Sequence, residues 1–341
     1  MVKKYLISVC LFYFLTTLCV AQQPTVIQMR DSAKNLLQKG DYYNAIQLLE
    51  FALQHAPDNI EVLKDLSFAS YLHKDFSRAI ETGKQAVESP DADPQAYQIL
   101  GLSYKELLLY KECGKLYKIG LKKFPASGVL YNEYAELLAM DSNLEEAIVQ
   151  WEKGIKEDPD YSSNYYNALM YYANAEQWVR VLLYGELFVN RESYTTRTEA
   201  VKTQIITAYK KLCNGGYIRL LLNNKTISAF EKVVLEVMEN SISLAQNGIT
   251  PENMGQIRTR FLIEWRQQKA NSYPFHLFDH EEYLVTQNLF DAYNQWLFGE
   301  IMNPVTFHAW EIDHPKEVSG FKAFQQNRVF KIPTGQYYFS K

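Results

Sequence analysis

The sequence predicts an all-α fold, a right-handed solenoid of antiparallel helix pairs, and three periodic features predict it. Pro57, Pro125 and Pro159 fall on one 34-residue grid, whose remaining member, Asp91, is flanked by Pro90 and Pro94. Twelve residues before each grid point stands a small residue: Ala45, Ala79, Cys113 or Ala147. Five before it stands another: Ala52, Ala86, Gly120 or Gly154. Small slots let two helices approach closely, and larger side chains between them fill the grooves. A proline lacks the N–H that would continue a helix, so each grid proline ends the second helix of its pair. One pair cannot cover its own apolar face, so the pairs must stack.

Taken in order, the first pair starts at Val26 and carries Gly40-Asp41-Tyr42 at its inter-helix turn, with Ala45, Leu49 and Ala52 after it. Gly40 supplies the left-handed residue that such a turn requires. The second pair starts at Ile60 and places Phe76, Ala79 and Ala86 in the same frame. The third, from Pro94, has Tyr97, Leu100-Gly101 and Tyr104, then Tyr110, Cys113, Tyr117, Gly120 and Pro125. The fourth, from Gly128, has Tyr131, Tyr134-Ala135, Leu138, Leu144, Ala147, Trp151, Gly154 and Pro159. The fifth, from Ser162, keeps Tyr165, Tyr172 and Trp178 but has Val181 and Phe188 where small residues belong.

This set of residues resembles the tetratricopeptide repeat (TPR), strongly over residues 26–159 and more weakly to 193. The chain therefore divides into a leader at 1–21, five repeat-like pairs at 26–193 with the fifth degenerate, and a helical C-terminal region at 194–341. In that last region Val201, Ile205, Ile206, Tyr209 and Leu212 hold helical spacing across residues 198–212. A second helix is expected over residues 227–246, with Phe230, Val233, Val234, Val237 and Met238 on its apolar side. Thr250 and Pro251 open a third as N-cap and first helical residue. Ala292, Trp296, Gly299 and Pro304 repeat the mutual spacing of Ala147, Trp151, Gly154 and Pro159, so residues 271–304 read as a degenerate helical pair. A capping helix to Phe330 and an extended tail complete the expectation.

The N-terminus has Lys3 and Lys4, an apolar run to Val20, and Ala21-Gln22-Gln23. That is the layout of a secretory signal peptide cleaved after Ala21, which makes the protein exported, periplasmic or secreted. Lipidation at Cys19 or an uncleaved anchor are the alternatives; no later stretch is apolar enough to span a membrane. Net charge is −4, and losing Lys3 and Lys4 makes the chain more acidic still. With basic residues in pairs such as Lys122-Lys123 rather than blocks, nucleic acid and anionic membrane surfaces are poor partners. Cys113 and Cys213 sit in apolar helical patterns and read as small buried hydrophobes, not a disulfide framework.

No phosphate-cradling glycine loop, nucleophile elbow, CxxC pair or HExxH is present, and no cofactor is implied. The one constellation with chemical content is His276, Asp279 and His280, with His308, Glu311, Asp313 and His314 further on. Two histidines four apart share a helix face. His-Leu-Phe-Asp-His differs from the inverted zinc signature by Asp in place of Glu, one methylene short of the reach a general base needs.

The resemblance implies a concave groove lined by the first helix of each pair, receiving an extended peptide or a helix. Carried across position by position, the groove residues are Gln98, Leu102 and Lys105, then Asn132 and Glu136, then Tyr166, Met170 and Asn174. The basic clamp with which some members hold a C-terminal carboxylate is not reproduced, because Asp65, Gln95 and Ile99 stand in the matching slots. The function expected is a non-catalytic scaffold for a protein or peptide in an envelope or secretion assembly. A metal-dependent hydrolase at His276/Asp279/His280 and a glycan-binding module are the other classes. Aromatic residues make up 14% of the chain, and repeat packing slots absorb most of them. Phe68, Tyr71, Tyr166 and the stretch 273–310 are left as sites for function.

Overall fold

The computed structural model describes residues 24–224, 227–245, 248–328 and 330–339. The expected signal peptide at 1–21 lies outside the described residues. These residues are helical with no strand, and no helix among them is long and apolar enough to cross a membrane.

The chain divides into two compact units at Thr82/Gly83. The first holds α1 (Val26–Gln38), α2 (Tyr42–His55), α3 (Ile60–Leu72) and the opening turns of α4 (Phe76–Glu88). Its core is Met29, Ala33, Ala45, Ile46, Leu49, Ala52, Val62, Leu66 and Ala69. The second contains α5 (Pro94–Glu106), α6 (Tyr110–Lys123), α7 (Gly128–Met140), α8 (Leu144–Glu157), α9 (Ser162–Asn174) and α10 (Trp178–Arg191). It continues with α11 (Thr196–Leu212), α12 (Tyr217–Leu222), α13 (Ala229–Ser241), α14 (Pro251–Gln268) and α15 (His276–Thr286). Then α16 (Phe290–Asn294) passes through a π-helical segment into α17 (Glu300–Met302), followed by α18 (Pro304–Asp313) and α19 (Pro315–Asn327).

First helices begin at residues 26, 60, 94, 128 and 162, and second helices at 42, 76, 110, 144 and 178, so the 34-residue period is one of helix starts. The starts are fixed locally. Thr25, Asp41, Asn59, Asp93, Ser127 and Asn143 each cap with a side-chain oxygen that accepts from the backbone. Each inter-helix turn has one residue in the left-handed region: Gly40, Lys74, Leu108, Ser142 and Glu176. The next N–H reaches back five residues, as from Asp41 to Leu36 and from Leu109 to Tyr104, closing a Schellman turn. The same turn joins α15 to α16, with Asn288 at positive φ and the Leu289 N–H bonded to the Leu284 carbonyl.

The small slots are closed seams. A Cβ on Gly101 would stand 2.0 Å from the Tyr117 hydroxyl, and one on Gly154 would stand 2.4 Å from Asn164 Nδ2. In the fifth pair, Val181 and Phe188 replace the small residues for a tertiary reason. Every residue of α10 from Trp178 to Asn190 is buried. Residues 181 and 188 join the large core that also holds side chains of α11, α13, α14 and the tail, so they fill space where the earlier pairs need clearance.

Two expectations shift at their ends. The helix predicted over 227–246 is α13, ending at Ser241 with a 3-10 turn over Ile242–Ala245. The capping helix stops at Asn327 rather than Phe330, because Phe330, Ile332 and Phe339 are buried as anchors of an extended tail. Arg191 bonds the Phe330 carbonyl, Arg180 bonds the Phe339 carbonyl at 3.2 Å, and Tyr337 donates to Glu152. Cys113 and Cys213 are free, with burial pushing both thiols up to about 11.

Candidate functional site

The first helices α5, α7, α9 and α11 of the second unit are cross-linked by polar side chains one repeat apart. Gln98 Nε2 donates to Glu133 Oε1 at 2.8 Å, and Lys105 Nζ donates to Glu133 Oε2 at 2.6 Å, tying α5 to α7. Asn167 Nδ2 donates to Asn132 Oδ1 at 2.9 Å and to Glu136 Oε1 at 3.3 Å, tying α7 to α9. Arg197 Nη1 donates to Ser163 Oγ at 3.2 Å, tying α9 to α11. Its guanidinium also lies 5.1 Å from the ring centre of Tyr166 and pairs with Glu192.

Electrostatics hold this lattice. Burial disfavours the Lys105 ammonium, but Glu133 and Glu136 more than offset that, and its pKa lies above the ordinary lysine value. Burial likewise opposes the Glu192 carboxylate. Hydrogen bonds from Arg197, Thr195 and Ser162 outweigh it and hold the carboxyl below its usual range. These charges are pinned by neighbours rather than free to titrate near neutrality.

The predicted groove residues divide into two groups. Asn132, expected as a backbone donor to a peptide, is 3% exposed. Its amide donates to Glu136 Oε1 at 2.9 Å and accepts from Asn167, so it belongs to the seam between helices. Gln98 and Lys105 are likewise spent on Glu133. Tyr166 is half-buried against Phe188, at 5.5 Å between ring centres, and against Arg197, which also lies 5.4 Å from the Phe188 ring centre. Leu102 and Met170 are half-buried, and Asn174 is exposed. Met140, at the end of α7, is 54% exposed, and Leu102 and Met170 hold equivalent positions in the 34-residue frame with Glu136 between them.

Sequence reasoning missed Glu133, Asn167 and Arg197. Glu133 lies one residue past the groove position in its helix. A pattern that assigns faces by slot cannot tell that its carboxylate reaches back to the preceding pair.

The histidine constellation is not brought together. His280 points inward, where its ring lies against Phe324 and receives the Arg328 guanidinium. Burial, then Arg328, pushes its pKa down to about 3. Asp279 points outward toward Arg266, at 3.9 Å. His276 stacks on Phe330, its backbone N–H donating to Gln336. His314 stacks on Trp310, and exposed His308 faces Glu311 at 3.8 Å. A guanidinium on the ring nitrogen that would bind a cation is an electrostatic mismatch for a metal. No cluster of three or more ligating side chains occurs among the described residues.

Residues 36–102 match the family model of the tetratricopeptide repeat. That stretch, from α1 into α5, is similar to tetratricopeptide repeats. No curated protein matches it in sequence. Among solved structures, pilF of Pseudomonas aeruginosa is similar at 15% identity, covering 62% of this chain and 98% of that one with a TM-score of 0.45. A thermophilic TPR protein of Thermus thermophilus is similar at 15% identity over 54% and 98%, TM-score 0.44. YrrB, a TPR protein with an unusual peptide-binding site, is similar at 16% identity over 52% and 92%, TM-score 0.36.

Proposed function

We propose that this chain is an exported, non-catalytic scaffold whose TPR helices bind a protein partner, as an extended peptide or a helix, along the face of α5, α7 and α9. The observation that carries this reading is Met140, exposed at the end of α7, with half-buried Leu102 and Met170 on the neighbouring first helices. The lattice around Glu133 and Asn132 ties these helices together, and Met140 is left exposed one turn past Glu136. Unbranched methionines adapt to varied side chains, which suits a surface that reads shape more than one fixed contact. Glu136 supplies a polar anchor at its margin. The leader-like N-terminus supports export, and an envelope or secretion assembly is the setting it implies.

Crosslinked capture from the source cell tests the binding face. The wild-type chain is expected to retain one partner in stoichiometric amount. Met140→Glu is expected to lose it while keeping the wild-type melting curve, since Met140 is exposed. Equal capture by both chains would place the partner elsewhere. Export is tested by fractionation and N-terminal sequencing, with a mature start at Gln22 expected; a cytosolic protein beginning at Met1 would refute it.

A further inference from the structure

Helix α6 carries a second surface on the side opposite its packed face. At about 100° per residue, Lys111, Lys115, Lys118 and Lys122 fall within an arc of about 60°. The arc lies directly across the helix from buried Cys113, Tyr117 and Gly120. All four lysines are exposed, and among the described residues none has a carboxylate within ion-pairing distance. Lys118 lies over the Tyr134 ring at 5.6 Å, and Lys123, on the flank, lies over Phe124 at 5.4 Å. One repeat on, α8 adds exposed Lys153 and Lys156. Acidic residues flank it at both ends: Glu112 stands beside the arc, Glu145 and Glu146 open α8, and exposed Glu157 closes it.

Apolar side chains stand exposed within this basic field. Ile119 is 60% exposed between Lys118 and Lys122, and Val149 on α8 is 47% exposed. The turn before α6 is Leu107-Leu108-Leu109, all three exposed, with Leu108 69% exposed and at φ 56°. A leucine in the left-handed region at an exposed turn gains no packing there and carries the strain that glycine avoids.

We propose that this outer face of α6, continued onto α8, docks peripherally on the surface of an anionic lipid bilayer, with the leucine turn entering the headgroup layer. The chemistry fits a bilayer better than a nucleic acid or an acidic protein. The charges are all lysine, compact point charges without the planar fork that reads a phosphate or carboxylate bidentately. No aromatic ring on this face is among the exposed large hydrophobics, so base stacking has no platform. Exposed aliphatic residues among lysines are the pattern of an interfacial surface. The net negative charge of the chain does not oppose this, because screening confines its field to about 8–10 Å. The surface lies opposite the packed side of α6 and leaves the proposed peptide face open, so the two readings stand or fall separately.

Flotation of the chain as isolated, with phosphatidylcholine vesicles and with vesicles also containing phosphatidylglycerol, tests this. Phosphatidylcholine alone reports any contribution of an apolar N-terminus that is retained. Binding is expected to require phosphatidylglycerol and to weaken as salt rises. Lys115→Gln, Lys118→Gln and Lys122→Gln are each expected to lower partitioning about fivefold. Leu107→Ser with Leu109→Ser is expected to lower it without changing the salt dependence. Unchanged melting curves are expected, since these side chains are exposed. Binding indifferent to phosphatidylglycerol, or equal binding by the triple lysine variant, would overturn the proposal. So would binding to duplex DNA or polyglutamate as tight as to the anionic vesicles.

Discussion

The guanidinium of Arg180 in α10 grips the carboxylate of Glu231 in α13 at two points, Nε to Oε1 at 3.0 Å and Nη2 to Oε2 at 3.1 Å. Both side chains are buried, and the same guanidinium donates to Glu152 at 3.0 Å and to the Phe339 carbonyl at 3.2 Å. One cation thus joins the last repeat-like pair, the C-terminal helices and the tail. Glu231 also accepts from the Ser228 backbone N–H and hydroxyl, closing the cap of α13. Removing Glu231 takes two charge-assisted hydrogen bonds from the buried guanidinium and leaves it Glu152 as its carboxylate partner, so Glu231→Ala is expected to cost about 1.5–3 kcal/mol. The double variant Arg180→Met/Glu231→Ala is expected to cost less than the sum of its two single variants. Urea unfolding reads both, and strict additivity would show that the two groups do not interact.

Gly101→Ala tests the seam between α5 and α6. The added methyl meets the Tyr117 ring, which is itself fixed against Glu133, with the hydroxyl donating at 3.2 Å. Overpacking of this kind costs about 1–3 kcal/mol. Gly215→Ala, where a Cβ meets nothing within 4 Å, serves as the control and is expected to lose little. Equal losses at the two positions would rule out close approach as the reason for the glycine.

Acid sensitivity should trace in part to His280. Its folded pKa, about 3, lies below the ordinary value of 6.5 because burial and then Arg328 disfavour the imidazolium. Between these two values the unfolded chain takes up a proton that the folded chain does not. This contribution to stability is complete above pH 6.5 and falls as pH drops below it, by about 2 kcal/mol on reaching pH 5. Glu281 acts with the opposite sign, since burial holds its carboxyl well above the usual range. A comparison with His280→Gln isolates the histidine: its loss of stability from pH 7 to pH 5 is expected to be smaller by that amount. Parallel pH profiles for the two chains would contradict the assignment.

Leu108→Gly should stabilise the chain. Relief of the left-handed strain is worth about 1–2 kcal/mol, and the added backbone freedom of glycine returns about 0.5–1 kcal/mol of it. A rise in melting temperature is expected for Leu108→Gly and none for Leu108→Ala, which keeps the strain. A fall for the glycine variant would mean that Leu108 packs within the fold.

How far the sequence reached can be followed residue by residue. Val26, Ile60, Pro94, Gly128 and Ser162 were legible as helix starts because caps, prolines and turns act within a few residues of chain. The slots at Ala45, Ala79, Cys113 and Ala147 were legible because close approach of two helices leaves a local size limit. Asn132 was misplaced for the opposite reason. Its neighbours Asn167 and Glu136 lie one repeat on and one turn on, and only packing decides whether an amide faces a ligand or a seam. Of the five lysines from Lys111 to Lys123 only Lys122 and Lys123 are adjacent along the chain, yet four of the five share one outward arc once the helix forms.

The sequence by itself determined the period, the pairing of helices, their starts and their small contact slots, because each follows from short-range sterics and hydrogen bonding repeated every 34 residues. Only the tertiary structure decided why Val181 and Phe188 break the pattern, that Arg180 finds Glu231 and buried Arg258 finds Glu186 and Glu281, and that residues 330–339 return to the last pair as an anchored tail. Those contacts join residues from 23 to 159 positions apart. Burial turns such a pairing from optional into obligatory, and no local pattern in the chain records which partner burial will select.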